Sequence, residues 1–235
     1  MIDIFVPMLG RPWAAETVAA SVAQNTAEDH QILFICSLDD EETYEACMAV
    51  SATMLMRAPV GPGDYPRKMN RAFERTDGDW VFLAASDVEF TRGWDIAALR
   101  MADKGAGVVA TNDMANGMVK RGSLGTHSLV RRSYVDEHGA TADHIPGVLI
   151  HEGYDHNFCD RELCGVAQHR GVYEFAKDSI VRHRHPNWRT AKNDATYDRG
   201  RAGFGADTDL FLSRAKKWKF RGLTTNEKMR AARMR

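Results

Sequence analysis

Short apolar runs alternate with stretches of helical periodicity along most of this chain. The first run, residues 2–6, is rich in β-branched and aromatic residues, and residues 14–24 follow with Ala15, Val18 and Val22 at helical spacing. The same alternation predicts strands at 2–6, 31–36, 53–57, 79–85, 107–111, 126–131, 172–175 and 179–183. The predicted helices are 14–24, 40–50, 66–74, 95–103 and 155–170, with a Pro- and Gly-rich loop at 58–64. This order predicts an α/β fold with a mostly parallel central sheet flanked by helices.

Polar side chains follow several of the predicted strands at the point where each strand ends. Because such sheets bind ligands outside the carboxyl ends of their strands, we expect these side chains to converge on one crevice. Carboxylates together with imidazole make a site suited to Mn²⁺ or Mg²⁺, ions that also bind phosphate. For any one of these residues alone, a turn or helix cap is the alternative interpretation. The residues are Asp39, Asp40, Asp87, Glu89, Asn112, Asp113, His183 and His185.

The composition is typical of a soluble globular protein. Apolar residues make up 44% and charged residues 27% of the 235 residues. No apolar run approaches the about 20 residues that span a bilayer, and the start of the chain does not resemble a signal peptide. We therefore expect a cytoplasmic protein with no membrane partner. The cysteines are expected to be free buried thiols, and they are Cys36, Cys47, Cys159 and Cys164.

The charge is unevenly distributed along the chain. The net charge is −1, but residues 214–235 contain nine Lys or Arg and a single acid, Glu227, for a local charge of +8. Such a basic C-terminal segment is expected to meet a polyanion or, alternatively, to form a solvated helix. Trp218 and Phe220 stand between its cations, and aromatic side chains interleaved with cations suit stacking on nucleic-acid bases.

Seven short motifs together resemble the GT-A fold glycosyltransferases close to family 2, of a compact type found in phages and actinobacteria. Each motif alone is weak, but their order and spacing are fairly specific, and the resemblance covers about residues 2–200. The motifs lie at 6–12, 37–40, 65–70, 85–94, 111–113, 151–163 and 183–186. The resemblance implies one GT-A domain at 1–212, with a donor half at about 1–113 and an acceptor half at about 114–212, followed by a basic tail at 213–235.

For the donor, the resemblance implies a nucleoside-diphosphate sugar, with uridine the commonest nucleotide. Pro7 and its neighbours, including Arg11, would line the base pocket, and Asp39 would hydrogen-bond the base or ribose. The helix that follows the loop would lie by the donor, where its cations can pair with the pyrophosphate. Its residues are Arg67, Lys68 and Asn70. The alternative for the two cations is a solvated helix face.

For the metal, the resemblance implies an acidic motif that normally reads Asp-x-Asp or Asp-Asp-x. Here Ser86 stands at the first position, so the match is incomplete. Asp87 remains as the expected ligand of Mn²⁺ or Mg²⁺, together with His183 or His185 and the diphosphate. A metal-independent variant is the alternative that the serine leaves open.

For the chemistry, the resemblance implies an inverting transfer in which a carboxylate removes the proton of the acceptor hydroxyl. The family carries this base at the start of the helix after the acceptor loops. Asp160 is the first candidate and Asp155 the second. The alternative for each is an acid that stabilises the first turn of a helix.

The acceptor is the part of the function that the sequence leaves most open. Residues 126–128 and 151–156 lie in the half that would bind it. The basic tail favours a hydroxymethylated base of phage DNA, in which case the enzyme would act in the host cytoplasm, while a small molecule or glycan precursor fits equally well. Three other functions stay open: a nucleotidyltransferase on a similar fold, a non-catalytic nucleic-acid-binding protein, and a zinc hydrolase. The zinc alternative rests on five histidines that lack zinc-site spacing, namely His151, His156, His169, His183 and His185.

Overall fold

The computed structural model describes residues 1–50, 53–59, 61 and 64–234. Its strands are β1 (Ile2–Pro7), β2 (His30–Ser37), β3 (Thr53–Ala58), β4 (Trp80–Leu83), β5 (Val88–Phe90), β6 (Val108–Asn112), β7 (Ser128–Arg131) and β8 (Tyr173–His183). Its α-helices are α1 (Ala14–Asn25), α2 (Glu41–Met48), α3 (Asp64–Arg75), α4 (Trp94–Ala102), α5 (Gly117–Lys120), α6 (Arg132–His138), α7 (Cys159–Arg170), α8 (Ala195–Arg214) and α9 (Thr225–Arg233). A single 3₁₀ turn, Pro186–Trp188, stands between β8 and α8.

The strands form one sheet in the order β3-β2-β1-β4-β7-β6-β8-β5. The four strands β3, β2, β1 and β4 are parallel neighbours, and β6 pairs in parallel with β8. β7 is antiparallel to both of its neighbours, and β5 is antiparallel to β8. The predicted α/β fold with a mostly parallel sheet is therefore confirmed. The carboxyl ends of β1, β2 and β4 meet at one edge, where Asp39, Asp40 and Asp87 lie, whereas Glu89 lies within β5 and pairs with the exposed Arg182 and Arg184.

The sheet is buried on both faces, as alternate residues of β1 illustrate. Phe5 packs in a cluster with side chains of α3, α6, α7 and α8, while Ile4 and Val6 pack in a second cluster with α1 and α4. A strand covered on both faces carries a nearly continuous apolar run, which is why these strands were predictable. All four cysteines are buried and free, as expected.

Two predicted elements differ from the structure. The helix predicted from residue 155 begins at Cys159, because Phe158 adopts a left-handed conformation (φ 66°) and the amides before it bond to a side chain instead of to a helix. The two strands predicted at 172–175 and 179–183 are the single strand β8, whose pairing with β6 shifts register between Thr111 and Asn112. Of the loop predicted at 58–64, residues 60, 62 and 63 lie outside the described residues.

The basic C-terminal segment is docked on the domain up to residue 234. Trp218 is buried in the core cluster, and Phe220 packs against that cluster, so neither ring is available to stack on a base. Glu227 pairs with Arg161 of α7, and Arg230 pairs with Asp209 of α8. In the described part of the chain, no helix is long and apolar enough to cross a membrane.

Candidate active site

Asp87 occupies the turn between β4 and β5, and its carboxylate is 9% exposed. Its Oδ2 accepts hydrogen bonds from Arg11 Nη1 at 3.1 Å and from the Tyr197 hydroxyl at 2.7 Å. Its Oδ1 lies 3.4 Å from His183 Nε2. No geometric hydrogen bond to that oxygen comes from the described residues, and His183 acts on it as an ion pair when its ring is protonated. One oxygen of a buried carboxylate is therefore left for a further partner.

The surroundings of Asp87 keep it ionised. Burial opposes the charge, but contact with His183, the charge of Arg11 and the Tyr197 hydroxyl outweigh it. Together they hold the pKa of Asp87 well below its usual range. The site thus presents a fixed negative charge at the end of a central strand.

Arg11 joins the loop after β1 to the start of α8. Its guanidinium, 3% exposed, donates to Ser86 Oγ at 3.0 Å, to Asp87, and to both oxygens of Asp194 at 2.9 and 3.2 Å. It also lies over the Tyr197 ring, 4.1 Å from the ring centre. The serine that replaces an acid in the motif is thus an acceptor for this arginine. Arg11 is fixed within the site rather than extended toward solvent.

Three histidine rings pack against one another in a row beside Asp87. The ring of His183 lies 5.0 Å from that of His127 and 5.1 Å from that of His185, and the His185 ring lies 4.6 Å from Tyr197. Burial and the charge of His183 lower the pKa of His127 to about 3 and that of His185 to about 4, so both are neutral at pH 7. His127 Nδ1 bonds to the Leu83 carbonyl at 3.0 Å, and its buried Nε2 has no partner in the described part of the chain.

The residues fit a divalent ion only if a ligand completes the site. No group of three or more His, Cys, Asp or Glu side chains among the described residues has the geometry to hold a metal by itself. Asp87 Oδ1 and His183 Nε2 are, however, two suitable atoms 3.4 Å apart, and the oxygen is buried without a hydrogen-bond donor. Mn²⁺ and Mg²⁺ commonly take few protein ligands and complete their shell with phosphate oxygens and water. His185 makes no contact with Asp87 among the described interactions.

Lys68 and Arg67, neighbours on α3, have different environments. Lys68 is 1% exposed, and its ammonium bonds to the Met8 carbonyl at 2.9 Å, to Ser37 Oγ at 2.7 Å and to Asp64 at 3.0 Å. These contacts use all its donors and tie α3 to the ends of β1 and β2. Burial lowers its pKa, which Asp64 opposes. Arg67 is half-buried, and the structure gives it no hydrogen bond or ion pair with any described residue.

The other residues predicted to bind the nucleotide sugar also divide into those held by the fold and those open to a ligand. Asn70 is buried and bonds to Leu149, Ile150 and Glu152, which fixes the loop that follows α6. Pro7 ends β1 and is half-buried beside Ile35. Asp39 is exposed in the turn after β2 and makes no hydrogen bond or ion pair within the described ranges. Pro7, Asp39 and Arg67 are thus open to a ligand, whereas Asn70 is committed to the fold.

Asp160 stands in the first turn of α7 and is half-buried. Its Oδ1 accepts the Arg161 amide at 2.8 Å. Burial raises its pKa to about 6, against the favourable effects of that amide and of the Arg161 and His183 charges. A carboxylate with a pKa near neutrality is suited to accept a proton. Asp155 lies outside the helix, with its amide bonded to Asp207 and its carboxylate packed against Gly203 of α8.

The structure adds three residues that the sequence patterns did not assign to this site. Tyr197 and Asp194 come from the start of α8, which has no clear amphipathic pattern, and they meet Arg11 and Asp87 more than 100 positions away along the chain. His127 precedes a buried strand, and the only signal in the sequence was a polar residue next to an apolar run.

The fold is similar to those of several glycosyltransferases of known structure. S. aureus TarS 1–349 in complex with UDP-GlcNAc superposes with a TM-score of 0.65 at 11% identity, over 98% of this chain and 70% of the TarS 1–349 fragment. The Pyrobaculum calidifontis mannosyltransferase PcManGT with GDP-Man and Mn²⁺ gives 0.65 at 12% identity, over 96% of this chain and 66% of that protein. The Mycobacterium tuberculosis glucosyl-3-phosphoglycerate synthase with Mn²⁺, UDP and glucosyl-3-phosphoglycerate gives a TM-score of 0.57 at 14% identity, over 92% of this chain and 80% of that protein.

These likenesses define the class of fold. The chain has a GT-A-like fold, the architecture that those transferases share. In a second TarS structure the chain spans 59% of the TarS 1–349 fragment. The sequence matches no protein-family model, and it matches no curated protein at a significant level.

Proposed function

We propose that this protein is a glycosyltransferase that moves a sugar from a nucleoside-diphosphate donor to an acceptor hydroxyl. The observation that carries the proposal is a pair of unlike carboxyls beside His183. Asp87 is held ionised, with an Oδ1 that lies 3.4 Å from His183 and accepts no hydrogen bond from the described residues, and Asp160 has a pKa raised to about 6. The GT-A-like fold supports a nucleotide-sugar donor, since similar proteins were solved with UDP-GlcNAc, UDP or GDP-Man.

In this proposal the donor lies across the carboxyl ends of β1 and β2 and the first turns of α3. Pro7 and Asp39 contact the base and ribose, and Arg67, whose guanidinium makes no hydrogen bond or ion pair with a described residue, binds the diphosphate. Arg11 and Lys68 act indirectly: Arg11 fixes Asp87, and Lys68 fixes the ends of β1 and β2 to α3. A uridine nucleotide is the first expectation and a guanosine nucleotide the second.

Asp87 Oδ1 and His183 Nε2 would hold a divalent ion, Mn²⁺ or Mg²⁺. When bound, such an ion neutralises the charge that develops on the leaving diphosphate. Asp160 takes the proton of the acceptor hydroxyl as its oxygen attacks C1 of the sugar. The new C1–O bond forms as the bond from C1 to the diphosphate oxygen breaks, and attack from the opposite face inverts the anomeric centre.

A small-molecule or glycan-precursor hydroxyl is the acceptor that we favour. Burial of Trp218 and packing of Phe220 against the core remove the two rings that were expected to stack on the bases of a DNA acceptor. What still supports DNA is a set of exposed cations that form no ion pair with a carboxylate of the described residues, namely Lys216, Lys219, Arg221, Lys228 and Arg233. Binding of a DNA duplex that survives physiological salt would restore the DNA acceptor.

The proposal is tested with a panel of nucleoside diphosphates and their sugars, each with and without Mn²⁺. A ligand at about a hundred times its dissociation constant stabilises the fold by about 2.7 kcal/mol, which a thermal shift detects. We expect one nucleotide to stabilise the protein, more strongly with Mn²⁺, and its sugar to release the nucleoside diphosphate. Pyrophosphate release would indicate a nucleotidyltransferase instead. Stabilisation by no nucleotide would overturn the proposal in favour of a binding protein.

A further inference from the structure

Helix α7, which carries Asp160, has no cap of its own. Its N-cap residue is Phe158, which has no capping side chain and a left-handed backbone (φ 66°) that non-glycine residues rarely adopt. Helix starts are usually fixed by a Ser, Thr, Asp or Asn at this position. The start of α7, and with it the position of Asp160, must therefore be fixed from outside the helix.

Two ion pairs, Glu162–Arg214 and Arg161–Glu227, hold the first turn of α7, and Asp207 of α8 holds the loop that leads into it. The Asp207 carboxylate is 2% exposed and accepts the amides of Asp155 at 2.7 Å, His156 at 3.1 Å and Asn157 at 2.7 Å. The Asn157 side-chain amide adds a fourth bond at 3.1 Å. No ion pair among the described residues involves Asp207. A buried carboxylate is thus compensated almost wholly by the backbone of one loop, residues 155–157.

The same face of α8 holds the loop by packing. The Phe158 ring stacks on Phe211, with ring centres 5.1 Å apart, and also lies 5.2 Å from Phe204. Two glycines let the loop approach closely. The Gly200 carbonyl accepts Asn157 Nδ2 at 2.8 Å, and a Cβ at Gly203 would lie 2.7 Å from Asp155 Oδ2.

Helix α8 is fastened by contacts that do not involve this loop, one of them to Glu162 of α7. Arg214, at its end, pairs with the buried Glu162 through bonds of 2.7 and 2.6 Å, and Thr196, near its start, donates to the Leu9 carbonyl at 2.9 Å. Loss of the Asp207 contacts would therefore release the loop while leaving α8 in place.

We propose that Asp207 is a positioning residue whose carboxylate fixes the 155–158 loop and thereby aims the Asp160 carboxyl at the acceptor hydroxyl. The inference rests on the proposed function, in which Asp160 is the base. Misplacement of a catalytic group by about 1 Å can reduce the rate about 100-fold. Asp207 touches no reacting atom, so its removal should lower turnover without weakening donor binding.

Asp207→Asn and Asn157→Ala test the inference, with Asp209→Asn as the matched control. Asp209 lies on the same helix but pairs with Arg230 and not with the loop. Asp207→Asn turns one acceptor oxygen into a donor that faces amide donors. Asn157→Ala keeps the carboxylate and the three backbone bonds, so it remains informative if the first variant does not fold. Each is measured for amide hydrogen exchange at 155–157, for kcat with the nucleotide sugar selected by the panel, and for affinity for the matching nucleoside diphosphate with Mn²⁺.

We expect Asp207→Asn to speed exchange at these amides and to lower kcat by about 10- to 100-fold, with nucleotide affinity within about twofold of wild type. Asn157→Ala should also speed amide exchange and lower kcat, but by less, and Asp209→Asn should change neither the exchange nor kcat. Unchanged exchange, or faster exchange with unchanged kcat, would overturn the inference. Asp160→Asn separates the two proposals: normal turnover in that variant refutes the base itself, whereas an inactive Asp160→Asn beside a fully active Asp207→Asn refutes only the positioning role.

Discussion

The hydroxyl of Tyr197 lies 2.7 Å from Asp87 Oδ2, so a residue of α8 rests directly on the carboxylate at the end of β4. Arg11 occupies the same oxygen and is itself held by Asp194, three residues before Tyr197. A ligand that needs this oxygen must therefore displace a hydrogen bond, whereas Oδ1 is available without one. The start of α8 thus determines which oxygen of Asp87 is available to a ligand.

Tyr197→Phe tests this arrangement. The variant removes the hydroxyl donor but keeps the ring beneath Arg11, and we expect it to lose about 1 kcal/mol of stability. Because Asp87 no longer shares its negative charge with the hydroxyl on Oδ2, we expect a cation on Oδ1, Mn²⁺ with nucleotide, to bind about fivefold more tightly, as the same free energy implies. Calorimetric titration measures the affinity. Tyr173→Phe, which removes a hydroxyl bonded to the Gly122 carbonyl, is the control, and equal affinities in both variants would contradict the expectation.

Substitutions of the neighbouring cations Lys68 and Arg67 on α3 should separate effects on stability from effects on nucleotide binding. Lys68→Met leaves the buried Asp64 without its partner and removes two bonds to β1 and β2, so unfolding in urea should show a loss of about 3–5 kcal/mol. Arg67→Met removes a cation that pairs with none of the described residues, so its stability should stay within about 0.5 kcal/mol while nucleotide affinity falls. The opposite pattern would show that Lys68 binds the diphosphate and Arg67 supports the fold.

The outcome for these two residues illustrates what the sequence can and cannot specify. The buried strands and the acids that follow them were predictable, because an apolar run ending in a carboxylate is a local pattern. Lys68 and Arg67 look alike in the sequence, and only the packing of α3 on β1 and β2 distinguishes them. The Arg11–Asp194 pair joins residues 183 positions apart, and α8 escaped prediction because Gly200, Gly203 and Gly205 weaken its helical signal.

Trp218→Ala should act through the fold and not through nucleic-acid binding. The side chain is buried against Phe211 and Phe220, so its removal should lower the free energy of unfolding by about 3–5 kcal/mol. DNA affinity, measured below the melting temperature, should not change. Trp188→Ala is the control, since that ring is 37% exposed, and it should cost far less. A loss of DNA affinity in a stable Trp218→Ala protein would contradict this expectation.

The pH dependence of turnover should report the raised pKa of Asp160. A base must be ionised to accept a proton, so kcat should fall as the pH drops through about 6, the value to which burial raises this pKa. An ordinary aspartate would put this limb near pH 3.8. The rate is measured from pH 4.5 to 8.5 with saturating donor and acceptor. An acid limb below pH 5, or one that persists unchanged in Asp160→Asn, would assign the base elsewhere.

The same shift makes Asp160 a destabilising residue at neutral pH. Its pKa in the folded protein, about 6, lies above the ordinary 3.8, so the folded state holds its proton more tightly than the unfolded chain does. Ionisation of this carboxyl therefore opposes folding fully above about pH 6, and the opposition fades as the pH falls toward 3.8, below which both states become protonated. Because the carboxyl is only half-buried, we expect Asp160→Asn to raise the free energy of unfolding by about 1–2 kcal/mol at pH 8 and by much less at pH 4. Urea unfolding at the two pH values measures the difference, with the exposed Asp136→Asn on α6 as the control. A gain of stability at high pH combined with loss of turnover would mark Asp160 as a residue kept for function at the expense of the fold, while equal or lower stability at pH 8 would contradict the raised pKa.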